Sequence, residues 1–249
     1  MPLDVDIALA KLTVKLSRYA YRDQSEAEAA VGPLSLTDFT WFAKTSTQAF
    51  SVVDADLLYL AFRGTEANNP IDWIADAKFA PTLGVYGTSV HSGFREALDE
   101  VWDEIVPVVA AAGKPAVITG HSLGAALATL AAARLDDAGH RVAALHTYGQ
   151  PRTGHRDFSE AFESKLGDVS YRFINHIDLV TRIPLLLQSY RHIGKRVYFD
   201  ASGVLHMNAS GWRIAFDDLK YRFAHRGSIK AAGLSPHEIS AYSRLVEAL

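Results

Sequence analysis

The pattern of hydrophobic and polar positions predicts a helix and then a small group of strands in the first quarter of the chain. Apolar residues recur at three- and four-residue spacings near the N-terminus, which predicts an amphipathic helix through Leu9, Leu12, Leu16 and Tyr19. Three β-branched or aromatic runs follow at 39–44, 49–53 and 57–62, separated by short polar breaks. This arrangement predicts an antiparallel meander at one edge of a sheet.

Helical and extended patterns alternate from residue 94 onwards. Helices are predicted at 94–108, 123–137, 158–166, 212–223 and 238–248, and strands at 117–118, 142–148, 170–174 and 196–200. Pro107 is expected to bend or close the first of these helices. Such alternation is typical of parallel strands with both faces covered. We therefore predict one α/β domain over residues 1–249, with a mixed, mostly parallel central sheet, helices on both faces and the meander near its N-terminal edge.

Composition and charge narrow the choice of function. Of the 249 residues, 49% are hydrophobic and 21% charged, as in ordinary soluble proteins with a sizeable core. A formal net charge of -3 gives no electrostatic case for nucleic-acid binding. Cysteine is absent, which excludes disulfides, thiolate metal sites and a cysteine nucleophile.

The same features bear on location. The acidic start of the sequence, Met1-Pro2-Leu3-Asp4-Val5-Asp6, lacks the basic and apolar regions of a signal peptide. No apolar stretch approaches the roughly 20 residues of a membrane-spanning helix. The sequence therefore favours a cytoplasmic location over secretion, and predicts no transmembrane segment.

One stretch carries a chemical motif. Residues 116–127 read as a short apolar run, a Gly-x-Ser-x-Gly pentapeptide at 120–124 and an Ala/Leu-rich helix. Gly120 and Gly124 leave room for neighbouring backbone, so Ser122 can occupy a strained turn with its hydroxyl exposed. The pentapeptide alone is weak, but a strand before it and a helix after it favour Ser122 as a nucleophile.

A nucleophilic serine needs a base and an orienting carboxylate. In α/β hydrolases these follow the chain order Ser, Asp or Glu, His. Asp178 comes directly after the predicted strand at 171–175, where such an acid belongs; the alternative is an ordinary turn carboxylate.

Four histidines follow Asp178, namely His192, His206, His225 and His237. His192 precedes a predicted strand and can equally be a structural hydrogen-bonder. His225 lies among basic residues that disfavour its protonation, which suits a general base poorly. His237 sits in a turn before the last helix, so we predict it as the base. A solvated histidine at a helix start is the alternative.

The reaction also needs donors for the developing oxyanion. One is the backbone N–H of Leu123, the residue after the nucleophile. Thr65 lies in the loop after the strand at 57–62 and can supply its backbone N–H and its hydroxyl. Without the motif around Ser122, Thr65 would read as a simple turn threonine.

Seven segments in the same order resemble the class 3 lipase family, the fungal-lipase-like branch of the α/β hydrolases. They are Phe62-Arg63-Gly64-Thr65, Asp72-Trp73-Ile74-Ala75-Asp76, His91-Ser92-Gly93-Phe94, Gly120-His121-Ser122-Leu123-Gly124, Tyr148-Gly149-Gln150-Pro151-Arg152, Asn175-His176-Ile177-Asp178-Leu179-Val180 and Tyr190-Arg191-His192-Ile193-Gly194. The resemblance implies an α/β-hydrolase fold, a triad of Ser122, Asp178 and His237, and an oxyanion hole of Thr65 and Leu123. It also implies an aromatic residue after the histidine, for which Tyr242 is suitably placed.

The resemblance further implies a lid after Thr65, within 66–87. Trp73 and Ile74 fit an apolar lid face, although a core-facing helix is as good an interpretation. Leu185 and Leu186 can line an acyl groove or belong to the core. Two departures stand out: the chain lacks the disulfides and signal peptide of secreted fungal members, and Thr181 replaces a common proline.

The sequence thus predicts a cofactor-independent, metal-free serine carboxylic-ester hydrolase that acts on acylglycerols or lipid-like esters through an acyl-enzyme. Phospholipase A1 and a feruloyl-type or short-chain esterase are the alternatives within the enzyme class. A non-catalytic binding domain on the same fold is the alternative outside it. The expected partners are an ester or lipid substrate and, transiently, a lipid interface.

Overall fold

A computed structural model describes residues 4–65, 80–184, 189–224 and 235–249. Several predicted positions lie outside these ranges, namely Trp73, Ile74, Leu185, Leu186 and His225. The described strands are β1 (Thr37–Ala43), β2 (Gln48–Val53), β3 (Leu58–Phe62), β4 (Pro81–Leu83), β5 (Ser89–His91), β6 (Ala116–His121), β7 (Val142–Tyr148), β8 (Gly154–His155), β9 (Ser170–Asn175), β10 (Tyr190–Arg191), β11 (Lys195–Phe199) and β12 (Leu205–Met207).

Eight of these strands form the central sheet, in the order β1-β2-β3-β6-β7-β9-β11-β12. β1, β2 and β3 pair antiparallel, as the predicted meander requires. From β3 to β11 every pairing is parallel, and β12 returns antiparallel at the far edge. The predicted mixed, mostly parallel sheet is confirmed.

Helices cover both faces of this sheet. They are α1 (Ile7–Tyr19), α2 (Gln24–Val31), α3 (Ser92–Ala112), α4 (Leu123–Asp137), α5 (Arg156–Leu166), α6 (Gly211–Ala224) and α7 (Ile239–Glu247). Successive strand residues point to opposite faces. Tyr59 and Val117 accordingly pack with Leu16 of α1, whereas Leu60 and Ile118 belong to the cluster that contains α3 and α4.

Helix α4 explains how the segment after Ser122 is held. Its first eleven residues, 123–133, are all buried. A helix that is apolar on every side belongs in the interior of a protein. α4 therefore fixes its own N-terminus, and with it Ser122, at the carboxyl end of β6.

Three local features differ from the sequence prediction or were absent from it. Pro107 lies inside α3 and does not close it, since the helix continues to Ala112. Helix α2 has only eight residues and was not predicted. A second sheet of order β10-β8-β5-β4 is built from strands of two or three residues, too short to show a period.

The second sheet includes part of the predicted lid segment. Residues 81–83 form β4, and a 3₁₀ turn follows at Val85–Gly87. The Tyr86 hydroxyl donates to Asp136 of α4 at 2.8 Å, which ties this end of the segment to the core helix. Residues 66–79 are outside the described ranges.

Candidate active site

Ser122 occupies a sharp turn between β6 and α4. Its backbone angles are φ 58° and ψ −125°, a strained conformation for a residue with a side chain. The Ser122 N–H donates to the carbonyl of Tyr148 at 3.0 Å, which anchors the turn to β7. A Cβ on Gly120 would collide with the carbonyl of Gly124, and one on Gly124 with that of Phe62. Only glycine allows the chain to close around Ser122 in this way.

The structure brings Ser122, His237 and Asp178 together. Ser122 Oγ lies 2.8 Å from His237 Nε2, and His237 Nδ1 lies 2.9 and 3.0 Å from the two carboxylate oxygens of Asp178. The exposed fractions are 2% for Ser122, 4% for His237 and 0% for Asp178. A carboxylate can only accept, so Nδ1 carries the proton and Nε2 is left to accept the serine proton.

Two further donors hold Asp178. The Tyr242 hydroxyl donates to Oδ2 at 2.6 Å, and the N–H of Val180 donates to Oδ1 at 2.9 Å. Burial alone would raise the pKa of Asp178, but His237 and these hydrogen bonds outweigh it, and the pKa lies below its ordinary value. Asp178 is therefore a buried carboxylate whose charge is compensated on several sides.

A second histidine, His121, contacts the backbone of His237. His121 Nε2 lies 2.5 Å from the backbone carbonyl of His237, so Nε2 must be the donor. His121 Nδ1 then accepts from the Tyr21 hydroxyl at 2.7 Å. Burial, reinforced by His237, lowers the pKa of His121 to about 3, which keeps the ring neutral. The motif contained His121, but no sequence signal pointed to Tyr21, a hundred residues earlier.

The two predicted oxyanion donors are Leu123, directly after Ser122, and Thr65, in the segment that follows β3. Leu123 is the first residue of α4, so its N–H has no partner within the helix and lies at the positive end of the helix dipole. The Thr65 hydroxyl is buried and has no hydrogen-bond partner among the described residues. Its neighbour Arg63 packs against Gly124, since a Cβ there would come within 2.7 Å of the Arg63 carbonyl carbon.

The other described histidine candidates are engaged elsewhere. His192 Nε2 donates to the carbonyl of Thr181 at 2.7 Å, and burial, with nearby arginines, holds its pKa well below the ordinary value. His206 Nε2 lies 2.8 Å from Asp200. Of the described candidates, only His237 contacts Ser122.

An eight-stranded α/β sheet with a strained serine, a histidine and an aspartate at its carboxyl edge is the arrangement of the α/β-hydrolase fold. The model of the family "Lipase (class 3)" matches residues 59–188, more than half of the 249 residues. The chain belongs to the class 3 lipase family. The predicted family and fold are thereby confirmed.

Relatives and solved structures agree with this assignment. A secreted mono- and diacylglycerol lipase of Fusarium solani is 39% identical over 139 residues, covering 53% of this chain and 41% of that protein. Another from Penicillium cyclopium is 29% identical over 210 residues, covering 79% and 66%. A solved triacylglycerol lipase whose catalytic centre is a serine protease triad superimposes with a TM-score of 0.68 at 26% identity, covering 81% of this chain and 83% of that one. The chain thus spans about two fifths to two thirds of the length of these two curated relatives.

The predicted cytoplasmic location is wrong. The relatives from Fusarium solani, Penicillium cyclopium and Malassezia restricta are named as secreted lipases, which points to an extracellular location. A lack of cysteine rules out disulfides but does not restrict a protein to a reducing compartment. In the described part of the chain, no helix is long and apolar enough to cross a membrane.

Proposed function

We propose that the protein is a carboxylic-ester hydrolase in which Ser122 is the nucleophile, His237 the general base and Asp178 the orienting acid. The observation that carries the proposal is the buried hydrogen-bonded series from Ser122 Oγ through His237 to Asp178. The backbone of Ser122 is strained, and the described hydrogen-bond partner of its hydroxyl is His237 Nε2. These features suit proton transfer from serine to histidine.

The reaction proceeds in two halves. Ser122 Oγ attacks the ester carbonyl carbon while His237 Nε2 takes its proton, and the carbonyl oxygen becomes an oxyanion. The N–H of Leu123 and the N–H and hydroxyl of Thr65 stabilise this charge. The intermediate collapses to an acyl-enzyme, and the leaving alkoxide takes the proton from Nε2. Water then attacks the acyl carbon by the same route, which releases the acid and restores Ser122.

Acylglycerols are the proposed substrates. Mono- and diacylglycerol lipases and a triacylglycerol lipase are among the relatives and structural neighbours, which supports acylglycerols over phospholipids, feruloyl esters or a non-catalytic role. The acyl-groove candidates Leu185 and Leu186 and the lid candidates Trp73 and Ile74 lie outside the described residues.

We also propose that α6 makes transient contact with the lipid surface. Trp212, Phe216 and Leu219 recur at helical spacing and are exposed, Trp212 to 87%. The exposed Arg213 and Lys220 lie on the same helix. An exposed apolar stripe beside basic residues is typical of helices that lie in a membrane interface. Trp212→Ser should lower turnover of emulsified substrate several-fold and leave soluble short esters unaffected; an equal loss on both would refute the contact.

A panel of esters tests the activity itself. The wild type should hydrolyse p-nitrophenyl esters and emulsified mono-, di- and triacylglycerols faster than phospholipids. Ser122→Ala should abolish every one of these activities, whereas Ser51→Ala, at another buried serine, should keep them. No turnover of any ester by the folded wild type, or full activity in Ser122→Ala, would end the proposal.

A further inference from the structure

A cavity of about 390 Å³ beside the catalytic loop is lined by an unusual number of arginines. Arg152, Arg172, Arg182 and Arg196 all border it, together with His192. Thr181 connects it to the active site, because its hydroxyl donates to the carbonyl of Asp178 at 2.8 Å while the residue also lines the cavity. The volume lies at the lower end of the range for small-molecule sites, about 300–1,000 Å³.

The register of β9 and β11 places two of these arginines side by side. Arg172 on β9 and Arg196 on β11 are register partners in neighbouring parallel strands, so their side chains leave the same face of the sheet at adjacent positions. Like charges placed opposite each other across strands are destabilising. Such a pair needs a compensating anion.

The two most buried arginines of the cluster have no carboxylate partner among the described residues. Arg172 is only 3% exposed and Arg152 9%, yet neither forms an ion pair with a described carboxylate. Arg172 donates through Nε to the carbonyl of Ile193, and Arg152 through Nη1 to the carbonyls of Arg182 and Pro184.

Several polar atoms of the cluster lack any partner. The Nε atoms of Arg152 and Arg196 and the Nδ1 atom of His192 are buried without a hydrogen bond to a described residue. Buried polar groups in native proteins are nearly always paired, with protein, water or ligand. An unpaired guanidinium N–H is a donor available to an anion.

Burial and the neighbouring positive charges both disfavour the charged form of the two most buried arginines. Burial, reinforced by Arg196 and Arg152, lowers the pKa of Arg172 to about 9. Burial, with Arg191 and Arg182, lowers that of Arg152 to about 10. Two acids of neighbouring segments have other partners, because Glu163 accepts a hydrogen bond from the N–H of Gly194 and Asp217 accepts one from the Tyr198 hydroxyl.

We propose that this cavity is a binding site for a phosphoryl group, either inorganic phosphate or the phosphate of a lipid headgroup. Guanidinium groups match the tetrahedral phosphate with forked, charge-assisted hydrogen bonds, and several around one cavity favour a dianion over a single carboxylate. The site is separate from the ester chemistry, so its test needs no turnover. Because α6 contributes Gly211, Ile214 and Ala215 to the wall, the cavity also adjoins the proposed lipid-contact helix.

Calorimetric titration with sodium phosphate, at an ionic strength held constant with sodium chloride, tests the site. The wild type should bind phosphate saturably at one site and melt at a higher temperature as phosphate rises. Arg196→Gln, at the less buried end of the cluster, should weaken binding about tenfold or more, as loss of a charge-assisted hydrogen bond implies. Arg141→Gln removes the same charge from an exposed position away from the cavity and should leave binding unchanged.

Vesicles of phosphatidylcholine with and without phosphatidic acid distinguish the two sources. Binding only to phosphatidic acid vesicles, displaced by glycerol phosphate and weakened by Arg196→Gln, would assign a lipid headgroup. Saturable binding of free phosphate without vesicle discrimination would assign the soluble anion. Absence of saturable phosphate binding together with equal affinity for both vesicles would overturn the proposal. So would equal weakening by Arg196→Gln and Arg141→Gln.

Discussion

The described part of the molecule contains two histidine–aspartate pairs with nearly the same spacing and different surroundings. His237 Nδ1 lies 2.9 Å from Asp178 Oδ2, and His206 Nε2 lies 2.8 Å from Asp200 Oδ2. The pKa of each aspartate is below its ordinary value, in both cases against an opposing effect of burial and with the help of the facing histidine. Distance and carboxylate pKa therefore do not separate them.

What separates the pairs is burial and the partner of the second ring nitrogen. The side chains of His237 and Asp178 are 5% and 0% exposed, against 20% and 18% for His206 and Asp200. In His237, Nδ1 faces Asp178 and Nε2 faces the Ser122 hydroxyl. In His206, by contrast, Nε2 faces both Asp200 and the guanidinium of Arg213. A histidine bonded to an acid becomes a catalytic base only when its remaining nitrogen is aimed at a nucleophile.

Replacement of the two histidines should give the largest contrast. His237→Gln removes the group that takes the serine proton, so kcat should fall on the order of 10⁶-fold, as for triads that act as a unit. His206→Gln should leave ester turnover within about twofold. Steady-state kinetics on a soluble p-nitrophenyl ester measures both, with circular dichroism to confirm folding. Similar losses in the two variants would remove the distinction between the pairs.

The aspartates should differ by less. Asp178→Asn keeps the shape but favours the wrong tautomer of His237, and the expected loss in kcat is about 10⁴-fold. Asp200→Asn, the matched change in the exposed pair, should have no such effect. The same soluble-ester assay reports both, and near-wild-type turnover by a folded Asp178→Asn variant would contradict the assignment of the acid.

Replacing a tyrosine that donates to an aspartate near each pair should give a smaller contrast in activity. Tyr242 donates to Asp178 at 2.6 Å, and Tyr198 donates to Asp217 at 3.1 Å. Tyr242→Phe deletes a hydrogen bond to a buried charge, worth about 1.5–3 kcal/mol, so kcat/KM should fall roughly tenfold or more. Tyr198→Phe should leave kcat/KM unchanged; a comparable loss there would mean that both act through stability alone.

The smallest effect concerns pH and His121. Its folded pKa of about 3 lies below the ordinary 6.5, so the unfolded chain binds more protons between these values. Neutral His121 thus makes its full contribution to the free energy of unfolding above pH 6.5. That contribution is lost as the pH falls towards 3, at up to about 1.4 kcal/mol per pH unit. Urea unfolding from pH 7 to 4 should show a shallower decline in His121→Asn than in the wild type. Parallel curves would mean that His121 does not stay neutral in the folded protein.

The residues that the structure brings together at the candidate site could be identified from the sequence because they carry local signals. The predicted strand at 142–148 coincides with β7. The turn around Ser122 combines a strand, two glycines and a helix within twelve residues. Asp178 was predicted because an acid that follows a parallel strand lies at the sheet edge where the serine lies. These inferences need only short-range pattern and chain order.

The remaining features depend on contacts between distant segments. Tyr21 contacts His121, which lies 100 residues later in the sequence. No pattern in α1 or in the turn after it predicts that contact. The arginines of the cavity come from separate loops and strands, and only the β9–β11 register makes Arg172 and Arg196 neighbours. The second sheet is made of strands too short for a period to appear.

The most direct test of the central claim is covalent labelling by a fluorophosphonate, followed by mass spectrometry of the peptides. The reagent reacts with a serine only where a base removes the proton and donors stabilise the charged phosphonyl oxygen. The account predicts one label per chain, located on Ser122, abolished in Ser122→Ala and slowed by orders of magnitude in His237→Gln, with His206→Gln labelled like the wild type. Label on another serine, or equal labelling of His237→Gln and the wild type, would contradict it.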